Sequence, residues 1–142
     1  MKHAMVLLRH DLPDGTSHID WLIDRHPLGP NGQAPKRDES EHSLLTLRCT
    51  RRPDDPCTPP GPAELLGDHR RLYLRFEGTM GAAKGTVHRI AGGSARLTIA
   101  PDHFTIEGGF DTDAARPRHD YLWVCRVADS RILLHRTPTS RA

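Results

Sequence analysis

The 142-residue chain lacks several features that define common classes of protein. It has no apolar run of transmembrane length, and the apolar residues 5–8 are too few for the hydrophobic region of a secretory signal. Its three cysteines form no CxxC pair, so the sequence predicts reduced thiols and a cytoplasmic location. No 3.6-residue apolar period persists, which argues against any long helix.

Turn residues and short alternating segments are abundant instead. The chain contains 12 prolines and 12 glycines, which favour turns and short strands. About eight short strands with turn signals between them indicate an antiparallel barrel or sandwich. We predict one helical turn, because proline at the start and glycine at the end suit residues 62–66. The predicted strands are 4–10, 17–23, 43–50, 72–76, 86–90, 95–100, 104–108, 121–127 and 131–135, with a turn at Gly92-Gly93.

Length and charge set only broad limits on function. A chain of 142 residues predicts a single domain over residues 1–142. The formal net charge is +2 with histidine neutral, and ten histidines would raise it near pH 6. Such a mildly basic balance is compatible with a polyanionic partner but does not by itself indicate one.

The first cluster of chemical interest lies in the opening hairpin. Pro13-Asp14-Gly15 is a strong turn signal between two apolar runs. A turn centred there places His10 directly across from His18, with Asp20 next on the same face. Two imidazoles and a carboxylate at that spacing predict an open metal site suited to Mn²⁺ or Zn²⁺. The alternative is three polar residues at a solvated strand end, and a bulge would break the geometry.

A second cluster combines imidazole, phenol and guanidinium groups. His69 and Tyr73 lie close in sequence to Arg70 and Arg71. Arginine binds oxyanions such as phosphate, and histidine can donate a hydrogen bond to them or protonate a leaving oxygen. The alternative is a basic loop followed by an amphipathic tyrosine, which is common. The candidate catalytic residues are therefore His69 and Tyr73, and the candidate substrate-binding residues are Arg9, Arg71 and Lys84.

Two further segments give weaker signals. The loop of residues 77–85 is rich in glycine and carries Lys84, but it lacks the GxxxxGK[ST] order of a P-loop. Asp111 and Asp113 would share one face if extended, although a solvated acidic loop is the simpler expectation.

The order of these motifs resembles that of the 3'-phosphoesterase domain of bacterial ATP-dependent DNA ligase D and its stand-alone relatives. In that family a strand ends in His, and a His-x-Asp strand follows. An Asp-His pair then precedes a Tyr by four residues, and a Glu-Gly loop and a Gly-Thr-Val strand come next. The corresponding residues here, within about residues 7–90, are His10, His18-Ile19-Asp20, Asp68-His69 with Tyr73, Glu77-Gly78 and Gly85-Thr86-Val87.

The resemblance implies a mainly β fold, a compact antiparallel β-barrel of about eight strands with one or two short helical turns. It also implies a manganese-dependent phosphoesterase, with Zn²⁺ or Co²⁺ as other metals, that acts on 3'-phosphate or 3'-ribonucleotide ends of DNA or RNA. The expected setting is DNA repair with a separately encoded ligase or polymerase and no membrane. The resemblance makes His10, His18 and Asp20 metal ligands, and it makes His69 and Tyr73 phosphate-engaging groups.

Two other functions are compatible with the sequence. The family has an arginine two residues after the aspartate, where this chain has Leu22. That difference favours a non-catalytic β-barrel that binds nucleic-acid ends. A structural zinc barrel without a substrate is the other alternative, and loss of metal would then unfold the protein.

Overall fold

The computed structural model describes residues 1–81, 83–111 and 118–139. Within these residues the chain forms strands and one short 3₁₀ helix, Arg71–Leu74. The strands are β1 His3–Asp11, β2 Ser17–Asp24, β3 His42–Cys49, β4 Ala63–Arg70, β5 Gly78–Thr79, β6 Thr86–Ile99, β7 His103–Phe110, β8 Asp120–Ala128 and β9 Arg131–Pro138.

Eight of these strands close into an antiparallel β-barrel. The order around the barrel is β1-β2-β3-β4-β9-β8-β7-β6, and β1 pairs back with β6 to complete the circle. The two-residue strand β5 adds to one end of β6. The structure therefore confirms a mainly β fold and the barrel rather than the sandwich. Closure leaves neither β1 nor β6 as an unpaired edge of the main sheet.

Alternate side chains along each strand fill the barrel. Trp21 on β2 and Trp123 on β8 meet edge to face with ring centroids 4.8 Å apart. Both are fully buried, and Phe110 lies against Trp21 at 5.9 Å between centroids. These rings form the centre of the packed interior. The remaining interior residues are Met5, Leu7, Ile23, Leu45, Leu47, Cys49, Ala63, Ala95, Phe104, Ile106, Tyr121, Cys125 and Ile132.

A second apolar cluster lies outside the barrel wall, and we call it the outer cluster. Its strand residues are one position out of phase with the interior set: Val6, Leu8, Leu22, Leu44 and Val87. The 3₁₀ helix and the segment after it cover this face with Leu72, Tyr73, Leu74, Phe76 and Met80. Burial on both faces explains why β1 and β2 contain continuous apolar runs and not a strict alternation of apolar and polar residues.

Two local predictions between residues 62 and 76 are wrong. The predicted helical turn at residues 62–66 belongs to β4, because Ala63 pairs with both β3 and β9. The predicted strand at residues 72–76 is the 3₁₀ helix and its continuation, which turn their apolar side chains onto the outer cluster. No helix in the part of the chain that the structure describes is long and apolar enough to cross a membrane.

The predicted turn at Gly92-Gly93 is also wrong. Residues 86–90 and 95–100 were expected to be separate strands, but residues 86–99 form one continuous strand. Its first half pairs with β1, where the register shifts between Leu7 and Leu8, and its second half pairs with β7. A side chain at Gly93 would collide with the Gly109 carbonyl, so glycine permits close strand approach here rather than a turn. The other predicted strands are confirmed, with bounds that differ by a few residues, and the predicted loop at 77–85 contains the short strand β5.

Candidate active site

The opening hairpin has the predicted register. His10 lies directly opposite His18, and Asp20 lies opposite Leu8, with no bulge between β1 and β2. Asp14 closes the turn, since its Oδ1 accepts a hydrogen bond of 2.9 Å from the Thr16 backbone N–H. The register therefore sends all three side chains out of the barrel on the face that carries the outer cluster.

The three predicted metal ligands converge. His10 Nδ1 lies 3.2 Å from His18 Nε2, and His18 Nε2 lies 3.6 Å from Asp20 Oδ2. One ligand atom from each residue lies within 4.8 Å of the others. Ligands of a tetrahedral metal with bonds of about 2.1 Å are separated by about 3.4 Å, which matches the two shorter distances. Among the described residues, this is the one group of three or more metal-ligating side chains that meets in this way.

A backbone carbonyl orients the first of these ligands. His10 Nε2 contacts the Lys84 carbonyl oxygen, and because a carbonyl only accepts, Nε2 must carry the proton. Neutral His10 therefore keeps a lone pair on Nδ1, the atom that faces His18. A backbone carbonyl behind the imidazole is the usual support of a metal-binding histidine. Gly85, with φ +85°, allows the chain to present this carbonyl against the backbone of Asp11.

The other two ligands are shielded from solvent. The side chain of His18 is 15% exposed and that of Asp20 is 8% exposed. Burial lowers the pKa of His18, and the nearby charge of Arg48 lowers it further against the opposing effect of Asp20. A lowered pKa favours the neutral imidazole, which is the form that binds metal. Asp20 Oδ1 accepts a 3.4 Å hydrogen bond from Arg48 Nε, so the two carboxylate oxygens have different partners.

A pocket of about 200 Å³ connects the triad with the second predicted cluster. His10 and Asp20 line it together with His69 and Tyr73, whereas His18 does not. We call it the phosphate pocket, after the ligand that the sequence predicts for the second cluster. The remaining lining residues are Leu8, His42, Arg48, Asp68, Arg70, Met80 and Val87. Strand β1 and the 3₁₀ helix thus bring His10 into the same pocket as Tyr73, which follows it by 63 residues in the sequence.

The two candidate catalytic residues have defined surroundings. His69 Nδ1 lies 3.0 Å from the Gly67 carbonyl and must donate to it, so Nε2 is the nitrogen left for a ligand. Tyr73 is 8% exposed, and its ring lies 5.9 Å from that of His69. Arg70 lies over the Tyr73 ring and donates to its hydroxyl at 3.5 Å. Imidazole, phenol and guanidinium groups therefore meet at one wall of the phosphate pocket.

The three predicted substrate-binding cations lie in different places. Arg71 is 6% exposed and binds Asp24, Ser43 Oγ and the Pro35 carbonyl, so it does not face the pocket. The sequence predicted Arg71 as a substrate ligand, but its burial conflicts with that role, and we assign Arg71 a structural role. Arg9 is half exposed and pairs with Asp11 at 3.1 Å. Lys84 is exposed, and its backbone carbonyl rather than its side chain contacts His10.

Arg48 is the residue that sequence reasoning missed. It lies directly across from Asp20 on β3, lines the phosphate pocket and is 36% exposed. Leu22, at the position of the family's arginine, is fully buried in the outer cluster. Arg48 therefore brings a guanidinium beside the Asp20 carboxylate from the neighbouring strand β3. In the sequence, the alternating pattern around Arg48 indicated only that this segment is a strand. It could not show which strand lies beside it, and therefore could not place Arg48 opposite Asp20.

The acidic pair near residue 111 contributes nothing to this site. Asp111 accepts a hydrogen bond of 3.1 Å from Arg118, and it does not line the phosphate pocket. Asp113 lies outside the described residues.

The assembled site has the donors for one divalent cation, and they lie beside a pocket of about 200 Å³. Three ligands from two strands would leave coordination positions open toward the pocket, and their N, N, O donor set accepts Mn²⁺, Zn²⁺ or Co²⁺. Comparison of the chain with protein-family models, with curated proteins and with solved structures finds no match in any of the three. The functional assignment therefore depends on the geometry of the site and on the resemblance of its motifs.

Proposed function

We propose that this protein is a metal-dependent phosphoesterase that acts on 3'-phosphate or 3'-ribonucleotide ends of DNA or RNA, in the setting of DNA end repair. One observation carries the proposal: His10 and Asp20 of the predicted metal triad line the same pocket as His69 and Tyr73. A metal site without substrate chemistry would not need an imidazole and a phenol in the same pocket. We take Mn²⁺ as the metal, with Zn²⁺ or Co²⁺ as substitutes.

Each residue of the pocket has a role in this proposal. A cation held by the triad would polarise the phosphoryl oxygens and activate a water molecule for attack. Arg48 and Arg70 bind the non-bridging oxygens with charge-assisted hydrogen bonds. His69 acts as the imidazolium, with one proton on Nδ1 for the Gly67 carbonyl and a second on Nε2. Its Nε2–H stabilises the developing charge or passes its proton to the leaving 3'-oxygen as the bond from that oxygen to phosphorus breaks, which leaves His69 neutral. Tyr73 orients the phosphate through its hydroxyl group.

The experiment is the release of phosphate from a primer–template duplex with a 3'-phosphate, with Mn²⁺ or with chelator. We expect release to require the metal and to fall by about 100-fold or more in His18→Ala and in His69→Ala. His135→Ala is the matched control, because this exposed histidine lies on β9 and does not line the pocket. Circular dichroism verifies that each variant is folded.

Two outcomes would replace the proposal. Binding of the duplex in chelator, without turnover by wild-type protein in Mn²⁺, Zn²⁺ or Co²⁺, would indicate the non-catalytic end-binding barrel. Unfolding on metal removal would indicate the structural zinc barrel. The backbone pairing of β1 with β2 and β6 requires no metal, so we expect the fold to survive chelation.

A further inference from the structure

A second basic concavity lies on the same wall of the barrel as the phosphate pocket. It has a volume of about 260 Å³, and its lining includes the cations Lys36, Arg75 and Arg89. Two more arginines, Arg37 and Arg71, are engaged with Glu41 and Asp24, and the carboxylates Glu39 and Asp111 also line it. We call it the basic groove. The 3₁₀ helix separates the two concavities, since Tyr73 lines the phosphate pocket and Leu74 lines the basic groove. The rise of a 3₁₀ helix is about 2 Å per residue, so the two are close neighbours.

Arg89 is held in position for an anion. Its Nη1 donates to the Leu74 carbonyl at 2.9 Å. Its guanidinium lies where a side chain at residue 92 would be, so Gly92 makes room for it. Among the described residues no carboxylate forms an ion pair with Arg89, which leaves its charge uncompensated on a fixed support. A fixed guanidinium loses little conformational entropy when it binds an anion.

The other two cations of the groove are also available. Lys36 has no ion-pair partner in the part of the chain that the structure describes. Arg75 pairs with Glu39 at 3.2 Å, but their side chains are 79% and 64% exposed. An ion pair this exposed contributes little stability, so Arg75 can exchange Glu39 for a phosphate at small cost. Arg37 is different, because two hydrogen bonds engage it with Glu41.

The groove lies next to the triad along strand β6. Val87 lies opposite His10, and Arg89 lies opposite Leu8, so both project from the same face of β6. Two residues of strand span about 7 Å, which a short stretch of nucleic-acid backbone covers. The exposed Arg70 stands over Tyr73 at the boundary between the two concavities. Cations thus continue from the phosphate pocket across the 3₁₀ helix to Arg89 and Lys36.

We infer that the basic groove binds the internucleotide phosphates of the strand whose 3' end occupies the phosphate pocket. This inference rests on the proposed function for the identity of the ligand. The strand leaves the pocket across the 3₁₀ helix, and its backbone phosphates contact Arg75, Arg89 and Lys36. Contacts to the backbone make the binding independent of base sequence and dependent on salt.

The test measures binding by fluorescence anisotropy, with a labelled primer–template that carries a 3'-phosphate, in chelator and at 50 to 200 mM NaCl. We expect Lys36→Ala, Arg75→Ala and Arg89→Ala each to weaken binding and to reduce the slope of log K against log salt by about one. Arg89→Lys should recover part of the loss, because it retains the charge. The matched controls, expected to bind as wild type, are Arg126→Ala on β8 and Arg131→Ala on β9, both exposed and outside the groove.

A second measurement separates this inference from the proposed function. Hydrolysis of thymidine 3'-phosphate, which has no internucleotide phosphate, should be unchanged in the groove variants and lost in His69→Ala. If wild type hydrolyses neither substrate but groove variants still lose duplex binding, the proposed function fails and the groove inference stands. Groove variants that bind the duplex as wild type would overturn the inference. Loss of binding in Arg131→Ala alone would overturn it too, because the strand would then run past His18 toward β9.

Discussion

Substitution of Arg71 tests whether this arginine stabilises the fold or binds substrate. In the structure it forms a buried ion pair with Asp24, whose side chain is fully buried. Asp24 Oδ1 also accepts a 3.0 Å hydrogen bond from the His26 backbone, whereas Asp24 Oδ2 has no hydrogen-bond partner among the described residues. The substitution Arg71→Met keeps most of the apolar volume and removes the charge. It would leave the Asp24 carboxylate buried with a single backbone donor.

The expected loss of stability is large. Removal of one partner from a buried ion pair costs about 3 to 5 kcal/mol, because the remaining charge is neither solvated nor compensated. Arg71 also donates to Ser43 Oγ and to the Pro35 carbonyl, which ties the loop before β3 to the 3₁₀ helix. We therefore expect the free energy of unfolding to fall by about 3 to 5 kcal/mol and Tm to fall by about 10 to 20 °C.

Urea unfolding followed by tryptophan fluorescence measures this change. The midpoint should shift to lower urea with an unchanged slope, since the surface exposed on unfolding stays the same. Arg9→Met is the matched control and should leave the midpoint nearly unchanged, because Arg9 is half exposed. Asp24→Asn combined with Arg71→Met should recover part of the loss. A wild-type midpoint in Arg71→Met, together with weaker substrate binding, would refute the structural role and restore the substrate-binding one.

Two further predictions concern the ligand support and the thiols. Gly85→Ala should lower Mn²⁺ affinity by about 10- to 100-fold in titration calorimetry, because a Cβ there would displace the carbonyl behind His10. Gly15→Ala, also at positive φ but with open space around it, should leave Mn²⁺ affinity unchanged, and equal affinity in both variants would contradict this reasoning. A thiol reagent should label one cysteine per native chain and three after unfolding, because Cys57 is exposed and the two others are buried. Burial raises the pKa of the Cys49 thiol to about 12 and raises that of the Cys125 thiol further, so neither forms the reactive thiolate readily. Rapid labelling of all three in the native protein would contradict the burial.

The hairpin could be predicted from sequence because all its determinants are local. The turn residues fix the register, and the register fixes which side chains share a face. His10, His18 and Asp20 therefore converge as the sequence indicated. The backbone carbonyl of Lys84 behind His10 could not be predicted, because it depends on a long-range contact between β1 and the loop before β6.

The errors have a different cause, which is long-range packing that a local sequence pattern does not reveal. Leu72, Leu74 and Phe76 alternate like a strand, yet they pack with Tyr73 in the outer cluster as a short helix and its continuation. Alternation reports only that one face is apolar, and a helical turn over an exposed apolar wall satisfies it equally well. Gly92 was likewise assigned to a turn, although it makes room for the Arg89 guanidinium.

Arg48 and Arg71 show why the type of a residue alone could not assign its role. Both are arginines near a carboxylate, but Arg71 faces the buried Asp24 while Arg48 faces Asp20 at the pocket. The difference arises from strand pairing: β3 lies beside β2, so that Arg48 comes opposite Asp20. That pairing is a property of the closed barrel and appears only once the sheet is assembled.

The position of the site on the outer wall has a consequence for how it is held. Tryptophan rings pack in the barrel interior, whereas the site lies on the outer face of the wall, where a strand alone offers a flat surface. The outer cluster adds a second layer to this flat surface, because Leu22 and Leu8 pack against the segment that carries Tyr73 and hold it on the wall. A polar residue at position 22 would weaken that packing, and Arg48 provides a guanidinium beside Asp20 without disturbing it. The departure at Leu22 is therefore consistent with a working phosphate pocket, in which the apolar support and the cation come from different strands.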